Sequence, residues 1–535
     1  MGWVRRVVMW MAWCAAVTAA INLLLVVRVP PASSPLHHHH RTLSPSTVPS
    51  NDPVGNKVYL QGEVYAIRDS EYHRRNQRNC SGLQMLNALY THLPAVRAQY
   101  KSPSSYLTDL VNNLKRDITR RRVTGDPWDL ARKWAKPRSL VPDSARGLGD
   151  VLAALSTAPI IAADVGYKGT QLKVAIMLKG GQKAVFKPKW YPRDEVIEGE
   201  VYAGADRHNG EIAAFHLSRL LGFPMVPLAV GRSVSLKRQI LPVASRKLAA
   251  TFFLRRGGRL CFYGVCYYCH KDSSVCDNGR TLEGTIILWL PQRLPLMHLP
   301  HPWAHTYKRT KLAQWEENEN YCERVLHHPP FNSDKSPRLL DLMDTAVFDF
   351  LIQNGDRHHY TVVSDEPSSS VVLLDNGKSF GDAYVDHMDI LAPLLQCCRL
   401  RQTTYERLIL LSGGGLSRAL QELLAQDPIF PVLTKPHLLA LDRRVLHVLA
   451  ALTFLAGGGA VLLVCVGVVG RRGVDPGITR DVSPELDPDS DRFGGLTLAT
   501  SPGGHSTSNL YVGMTTKLLY DKRPLLLNKC ISYSN

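Results

Sequence analysis

The strongest constraint on this chain is a lysine at the end of a tight hairpin, followed much later by two aspartates nineteen positions apart. Gln171 to Leu178 reads as an apolar-rich strand, Gly180-Gly181 as its turn and Lys183 to Lys187 as the return. A helix is predicted from Asn209 to Leu221, where Ile212, Phe215 and Ala214, Leu217, Leu221 recur at three- and four-residue intervals and Gly222-Phe223-Pro224 ends the run. Farther on, a helix over Leu339 to Ile352 leads into Asp356-Arg357-His358-His359-Tyr360, and a short buried strand, Val371 to Leu374, runs into Asp375-Asn376-Gly377. Tyr405 to Leu424 and His437 to Ala451 also read as helical, so strands cluster early and helices late.

Phosphoryl transfer needs a cation on the nucleotide phosphates, an acidic partner to position it, a base near the accepting hydroxyl, and a carboxylate to hold the metal. Lys187 ends a hairpin strand, the place from which a lysine reaches the phosphates, and Glu211 stands in the first turn of the next helix. Asp356 falls on a loop where it can accept a hydroxyl proton, and Asp375 at a strand end where it can face a metal ion. Taken alone, a lysine on a strand is usually a solvated head. Reading His358 and His359 as zinc ligands fails because adjacent side chains on an extended segment point to opposite faces. No G-x-G-x-x-G precedes Lys187, and Gly166 and Gly169 are a poor substitute, so the phosphates must be covered in another way.

Val8 to Val27 is an uncharged run that follows Arg5 and Arg6, and it matches the roughly 20 residues a helix needs to cross hydrocarbon. It reads as a signal-anchor behind a cytosolic tail (1–7), with a cleavable signal peptide as the alternative. Either reading sends the remainder into the secretory lumen. Residues 28–58 are rich in Pro, Ser, Thr and His and read as a disordered stem, with His37 to His40 as solvated low complexity. Residues 59–160 form an N-terminal extension expected to be helical, with helix-like stretches at Leu83 to Leu89 and Tyr106 to Leu114. The apolar run Val445 to Gly470 has the length of a second span, although Gly457-Gly458-Gly459 interrupts it. The tail after Gly473 reads as disordered.

The chain holds 64 Lys+Arg against 46 Asp+Glu, a formal charge of +18. That excess attracts polyanions without choosing among them. Of eleven cysteines, Cys14, Cys465 and Cys530 lie in apolar runs or near the end. In an oxidising lumen the rest favour disulfides, and a lone C-x-x-C step, Cys266 to Cys269, is too little for a zinc ribbon. Asn79-Cys80-Ser81 is a glycosylation acceptor, consistent with lumenal exposure.

At QLKVAIMLKGGQKAVFKPK, EGEVYAGADRHNGEIAAFHLSRLLGF, CFYGVCYYC, EGTIILWLP, LLDLMDTAVFDFLIQNGDRHHY, LLDNGKSFG and LAPLLQCCRLR the chain resembles the four-jointed and Golgi casein kinase group of secretory-pathway kinases. Within that group it is most similar to the members that phosphorylate xylose. The resemblance runs from about Tyr59 to Ala451. It implies an α+β, two-lobed, atypical protein-kinase-like fold, with an N-lobe over 161–235, a C-lobe over 236–451 and a divergent tail over 452–535.

It further implies ATP with manganese or magnesium, and makes Lys173 and Lys187 nucleotide-contacting, Glu211 the helix glutamate beside the ATP site, Asp206 a metal or phosphate-site carboxylate, Asp356 the catalytic base and Asp375 the metal ligand. Cys261, Cys266, Cys269, Cys276, Cys322, Cys397 and Cys398 are implied disulfide partners, with Cys80 for the one left over. The acceptor implied is the xylose 2-hydroxyl of the galactosyl-xylose linker of proteoglycans. The place implied is the Golgi membrane in type II orientation, with some secretion, oligomers with related kinases and no nucleic-acid partner. Trp289, Trp303, His305 and Tyr307 are candidate sugar contacts. The alternatives are a secreted serine kinase with a basic groove near Arg399 and Arg401, and a pseudokinase activator. Gly355 and Thr361 depart from the group's pattern beside the catalytic loop and put activity in question.

Overall fold

Alternating burial along the predicted hairpin builds one face of a sheet. In β4 (Val174–Leu178) Val174, Ile176 and Leu178 are buried, and in β5 (Gln182–Pro188) Ala184 and Phe186 are buried opposite them. Gly180 and Gly181 both take positive φ, 92° and 76°, the conformation that a two-residue hairpin turn demands at both central positions. The return is as expected, but the first strand begins at Val174 and not at Gln171. The computed structural model describes residues 57–60, 63–68, 93–99, 105–122, 124–166, 169–308, 311–318, 320–332 and 337–455. The anchor, the stem, Asn79, Cys80, Leu83 to Leu89 and the tail lie outside them.

The hairpin belongs to a five-stranded antiparallel sheet in the order β3-β4-β5-β10-β6, completed by β3 (Ile160–Val165), β6 (Ala229–Val234) and β10 (Leu282–Leu288). Because β10 lies between β5 and β6, the first lobe extends to Leu288, and the expected lobe boundary after residue 235 is corrected. Between β6 and β10 the chain forms a small sheet, β7 (Phe252–Leu254), β8 (Leu260–Phe262) and β9 (Val275–Cys276), stapled by Cys261–Cys276. Cys266 and Cys269 are joined to each other, which removes the zinc alternative, and Cys322 is joined to Cys397.

The extension is not wholly helical. Helix α1 (Ser105–Ile118) contains the expected stretch, and α2 (Leu148–Thr157) follows. However, β1 (Lys57–Leu60) and β2 (Glu63–Arg68) form a ribbon that β13 (Val385–His387) joins in parallel. Such short strands carry too little alternation to be recognised in sequence.

Helix α3 (His208–Leu221) is buried along its whole length against the sheet, and α4 (Arg338–Ile352) is buried nearly throughout. Gln353, in the left-handed conformation at φ 59°, ends α4 and turns the chain into the loop bearing Asp356. β12 (His359–Val363) then pairs with β11 (Leu296–Pro300). The expected strand at Val371 to Leu374 is reduced to one bridge, Thr361 to Val372, because the Leu373 amide donates instead to Met225 O at 3.0 Å.

Tyr405 to Leu424 is two helices and not one: α6 (Gln402–Leu410), which follows α5 (Ala392–Cys397), and α7 (Gly415–Leu424). Gly413 and Gly414, at φ 62° and 81°, break the run. Helix α8 (Lys435–Leu455) absorbs the start of the second apolar run, with Val445, Val448 and Leu449 in the core. A span starting at Val445 is therefore ruled out. No helix of the described residues is long and apolar enough to cross a membrane.

Candidate active site

Four acidic or basic side chains predicted from separate parts of the chain meet at the end of β5, the central strand of the five-stranded sheet. β5 carries Lys187 opposite Thr285 of β10, and the first turn of α3 carries Glu211. The Lys187 Nζ lies 2.7 Å from Glu211 Oε1, 2.9 Å from Asp206 Oδ2 and 3.2 Å from Asp375 Oδ1. Burial by itself would lower the Lys187 pKa. The three carboxylates outweigh that effect and hold it well above the ordinary lysine value, so the ammonium stays charged. In direct contact one ammonium meets three carboxylates, with Lys173 and Arg357 acting on Asp375, and Arg207 and Lys378 on Asp206, from farther away.

Asp375 is the open member of this group. Its side chain is 80% exposed, against 11% for Asp206 and 4% for Glu211, and its φ of 52° is the left-handed conformation that non-glycine residues adopt rarely and often at functional sites. Lys187 above all, with Lys173 and Arg357 adding, holds its carboxyl well below the usual carboxylate range. Lys173 lies against Gly166 and Gly169, and a Cβ on Gly169 would come within 2.7 Å of its ammonium. Gly377 is required in the next turn: a Cβ there would press on Asp206 Cγ at 2.6 Å.

Asp356 faces the cleft from the loop after α4. Its backbone N–H donates to Asn354 Oδ1 at 3.3 Å, Tyr307 Oη donates to its Oδ1 at 2.6 Å, and His358 Nδ1 lies 3.8 Å from the same oxygen. Asp356, accepting from the His358 ring and only partly opposed by burial, raises the His358 pKa above the ordinary histidine value.

Sequence reasoning missed the residues that tie the two loops together. Arg357 reaches both Asp349 oxygens at 2.7 Å, Asn376 Oδ1 at 3.0 Å and Leu374 O. Asn376 Nδ2 in turn donates to Glu211 Oε2 at 3.2 Å. One chain of hydrogen bonds thus links the catalytic loop, the Asp375 loop and α3. Both Arg357 and Asn376 directly follow the predicted aspartates, but nothing in their spacing marks them as bridges.

Gly355 and Thr361 are both closely packed beside the catalytic loop. A Cβ on Gly355 would come within 2.0 Å of Val201 Cγ1, so Val201 fills the room that a larger residue would take. Thr361 is buried in β12 with its hydroxyl 2.9 Å from His298 Nδ1. Among the sugar candidates, Tyr307 stands at Asp356, while Trp303 is buried and donates its N–H to Gln396 Oε1 at 2.7 Å. His305 packs its ring on Trp315 at 5.2 Å, and Trp289 lies at the end of β10 with its amide bonded to Lys183 O. Arg401 is engaged by Asp341 and Asp344, so it does not line an open basic groove.

Residues 126–454 match the family described as Golgi casein kinase, C-terminal, Fam20. The chain belongs to the Fam20 family. A glycosaminoglycan xylosylkinase from Danio rerio is 54% identical over 325 residues, covering 61% of this chain and 79% of that protein. The solved structure of hydra Fam20 with sugar shares 48% identity, covers 63% of this chain and 97% of its own, and superposes with a TM-score of 0.61. The Golgi casein kinase with Mn/ADP bound has 30% identity and the same TM-score, covering 68% of this chain and 93% of its own. The Fam20 kinase-like fold accounts for the mixed helix and strand architecture.

The donor chemistry fits a divalent cation shared with phosphate. Among the described residues no group of three or more His, Cys, Asp or Glu side chains is disposed to hold a metal unaided. Such an ion takes one or two carboxylates and draws its other oxygens from the phosphates and water. Asp375 and Asp206, both hard oxygen donors, would supply that half-site.

Proposed function

We propose that this chain is a glycosaminoglycan xylosylkinase, transferring the γ-phosphate of ATP to the 2-hydroxyl of xylose in the galactosyl-xylose linker of proteoglycans. We place it in the Golgi lumen, anchored by residues 8–27 in type II orientation. The observation that carries this reading is the complete phosphoryl-transfer set around Lys187, with Asp356 set beside a wall made by the rings of Tyr202 and His358, on which the Tyr307 ring rests. A serine side chain needs no ring-lined wall, whereas a sugar presents hydroxyls and C–H faces that such a wall can grip.

In the reaction Lys187 binds phosphate oxygens, and Glu211, fixed by Asn376, keeps the ammonium aimed at the cleft. The acceptor oxygen forms its bond to the γ-phosphorus as the bond from phosphorus to the ADP oxygen breaks, and the acceptor proton passes to Asp356. Arg357 holds the Asp356 and Asp375 loops in register so that base and phosphate stay in line. Manganese, or magnesium in its place, held by Asp375 and Asp206, would neutralise phosphate charge when bound.

The test gives purified protein labelled ATP and manganese, with a galactosyl-xyloside in one tube and an acidic serine peptide in another. Label on the glycoside is the expected result. Label on the peptide alone would overturn the sugar acceptor, and label on neither would point to a pseudokinase.

A further inference from the structure

The general base of a kinase must accept a hydrogen bond from the acceptor hydroxyl. Here a hydroxyl of the protein itself already bonds to one Asp356 oxygen. Tyr307 Oη donates to Asp356 Oδ1 at 2.6 Å and lies 3.2 Å from His358 Nδ1. Its ring packs edge-on against Tyr202 at 4.6 Å and against His358 at 5.8 Å. The backbone that delivers it is in the left-handed conformation, φ 57°, unfavourable for a residue with a bulky side chain. Despite these contacts the side chain remains exposed to the cleft. Burial first, and then the neighbouring Asp356 charge, raises the phenol pKa above its ordinary value, so the group is a neutral donor across the physiological range.

We propose that Tyr307 is a surrogate acceptor that determines specificity: its phenol fills the acceptor-hydroxyl place on Asp356, keeps water out of it, and yields only to a substrate that replaces its hydrogen bond and its ring contacts. Water is a small acceptor present at very high concentration, and a kinase that hydrolyses ATP without acceptor wastes it. In that side reaction the water oxygen bonds to the γ-phosphorus, the bond to the bridging oxygen of ADP breaks, and the water proton goes to Asp356. A water molecule cannot offset the loss of the Tyr202 and His358 ring contacts, whereas a sugar ring with a correctly placed hydroxyl can. The bond at stake is to a charged oxygen, and bonds of that class are strong enough to shift populations about tenfold or more. The latch itself concerns water and does not depend on the sugar. The identity of the displacing acceptor rests on the xylosylkinase reading.

Tyr307→Phe keeps the ring and removes the donor. With the full chain, ATP and manganese and no acceptor, the variant should release ADP about tenfold faster than the parent. With a galactosyl-xyloside it should show a lower acceptor KM and a higher ratio of ADP released to sugar phosphorylated. A gain in hydrolysis cannot come from misfolding, and unchanged nucleotide affinity by calorimetry confirms the fold. Unchanged ADP release without acceptor would overturn the proposal, and so would a raised acceptor KM, which would make Tyr307 an ordinary sugar contact. Faster hydrolysis in the variant, with no transfer to the glycoside in either protein, would sustain the latch and discard the xylose acceptor.

Discussion

Two clusters of buried charge have opposite composition. Around Lys187, one ammonium faces Asp206, Glu211 and Asp375, and one of the three carboxylates opens to the cleft. Around Asp386, one fully buried carboxylate faces Arg443 at 2.6 Å, Arg444 at 2.7 Å and His447 at 3.3 Å. The two guanidiniums also donate to the carbonyls of Leu351, Asp382, Ala383 and Val385. This second cluster therefore clamps the end of α4 to β13 and α8. Burial would raise the Asp386 pKa, but Arg443 and Arg444 outweigh it and hold it well below the usual range. Closed charge with cations in excess holds an element in place. Unbalanced charge with an open member leaves room for a cation and a phosphate chain.

The largest effect that tests this contrast is at the open carboxylate. Asp375→Ala should remove manganese-dependent nucleotide binding and lower turnover by about 10³-fold or more, because the phosphates then face the remaining carboxylates with less cation between them. Manganese with ADP should raise the Tm of the parent and leave that of the variant unchanged. Equal affinity by calorimetry would break the contrast at its functional end. Asp356→Asn should sharpen it, since shape and nucleotide affinity are kept while kcat falls by about 10² to 10⁴-fold. Loss of nucleotide binding in that variant would move Asp356 into the binding cluster.

At the structural end, Asp386→Asn leaves two buried guanidiniums uncompensated. Breaking such a pair from one side costs about 3–5 kcal/mol, visible as a fall in the urea midpoint. The folded fraction should bind nucleotide as the parent does. A variant of parental stability that has lost nucleotide affinity would show that the two clusters do not divide the work in this way.

The contrast also separates what the sequence disclosed from what it hid. Lys187, Glu211, Asp356 and Asp375 were legible because each is the right type of residue at a recognisable element end: a strand after a glycine turn, the first turn of a helix, a loop after an apolar helix. Asp206 and Lys173 came only through family resemblance. The hairpin and α3 followed from short-range periodicity. β10's place between β5 and β6 did not, because sheet order is a long-range property that no local period encodes. Arg357, Asn376 and the Asp386 clamp were hidden for the same reason, as their partners lie far away in the chain. Gly413-Gly414 breaks the run from Tyr405 to Leu424 although the apolar pattern continues across it, so the pattern alone hides the break. Val445 onward read as apolar enough for a membrane because a helix fully surrounded by core looks the same from composition alone.

The smallest expected effect comes from a third cluster, which is balanced but half-open. Glu283 of β10 accepts from His208 Nε2 at 2.7 Å and Arg193 Nη2 at 2.8 Å, with Lys189 at 3.7 Å, and so ties the start of α3 to the sheet beside Lys187. Burial would raise the Glu283 pKa, but His208, Arg193 and Lys189 outweigh it and bring it down to about 2. Because the folded-state pKa lies below the ordinary value near 4.5, the bonus from this carboxylate is whole above pH 4.5 and is lost as pH falls through about 2. The shift corresponds to about 2–3 kcal/mol. Glu283→Gln should therefore lower the urea midpoint at pH 7, and the two proteins should converge as pH falls from 4.5 toward 2. His208, whose pKa burial lowers, makes both proteins lose stability below about pH 6.5, since the unfolded chain takes up a proton that the folded one does not. Because Glu283 itself raises the His208 pKa, the difference between the two curves reads the coupled Glu283–His208 pair. If that difference is constant across the acid range, the carboxylate charge contributes nothing, and the half-open cluster belongs with neither the functional nor the structural kind.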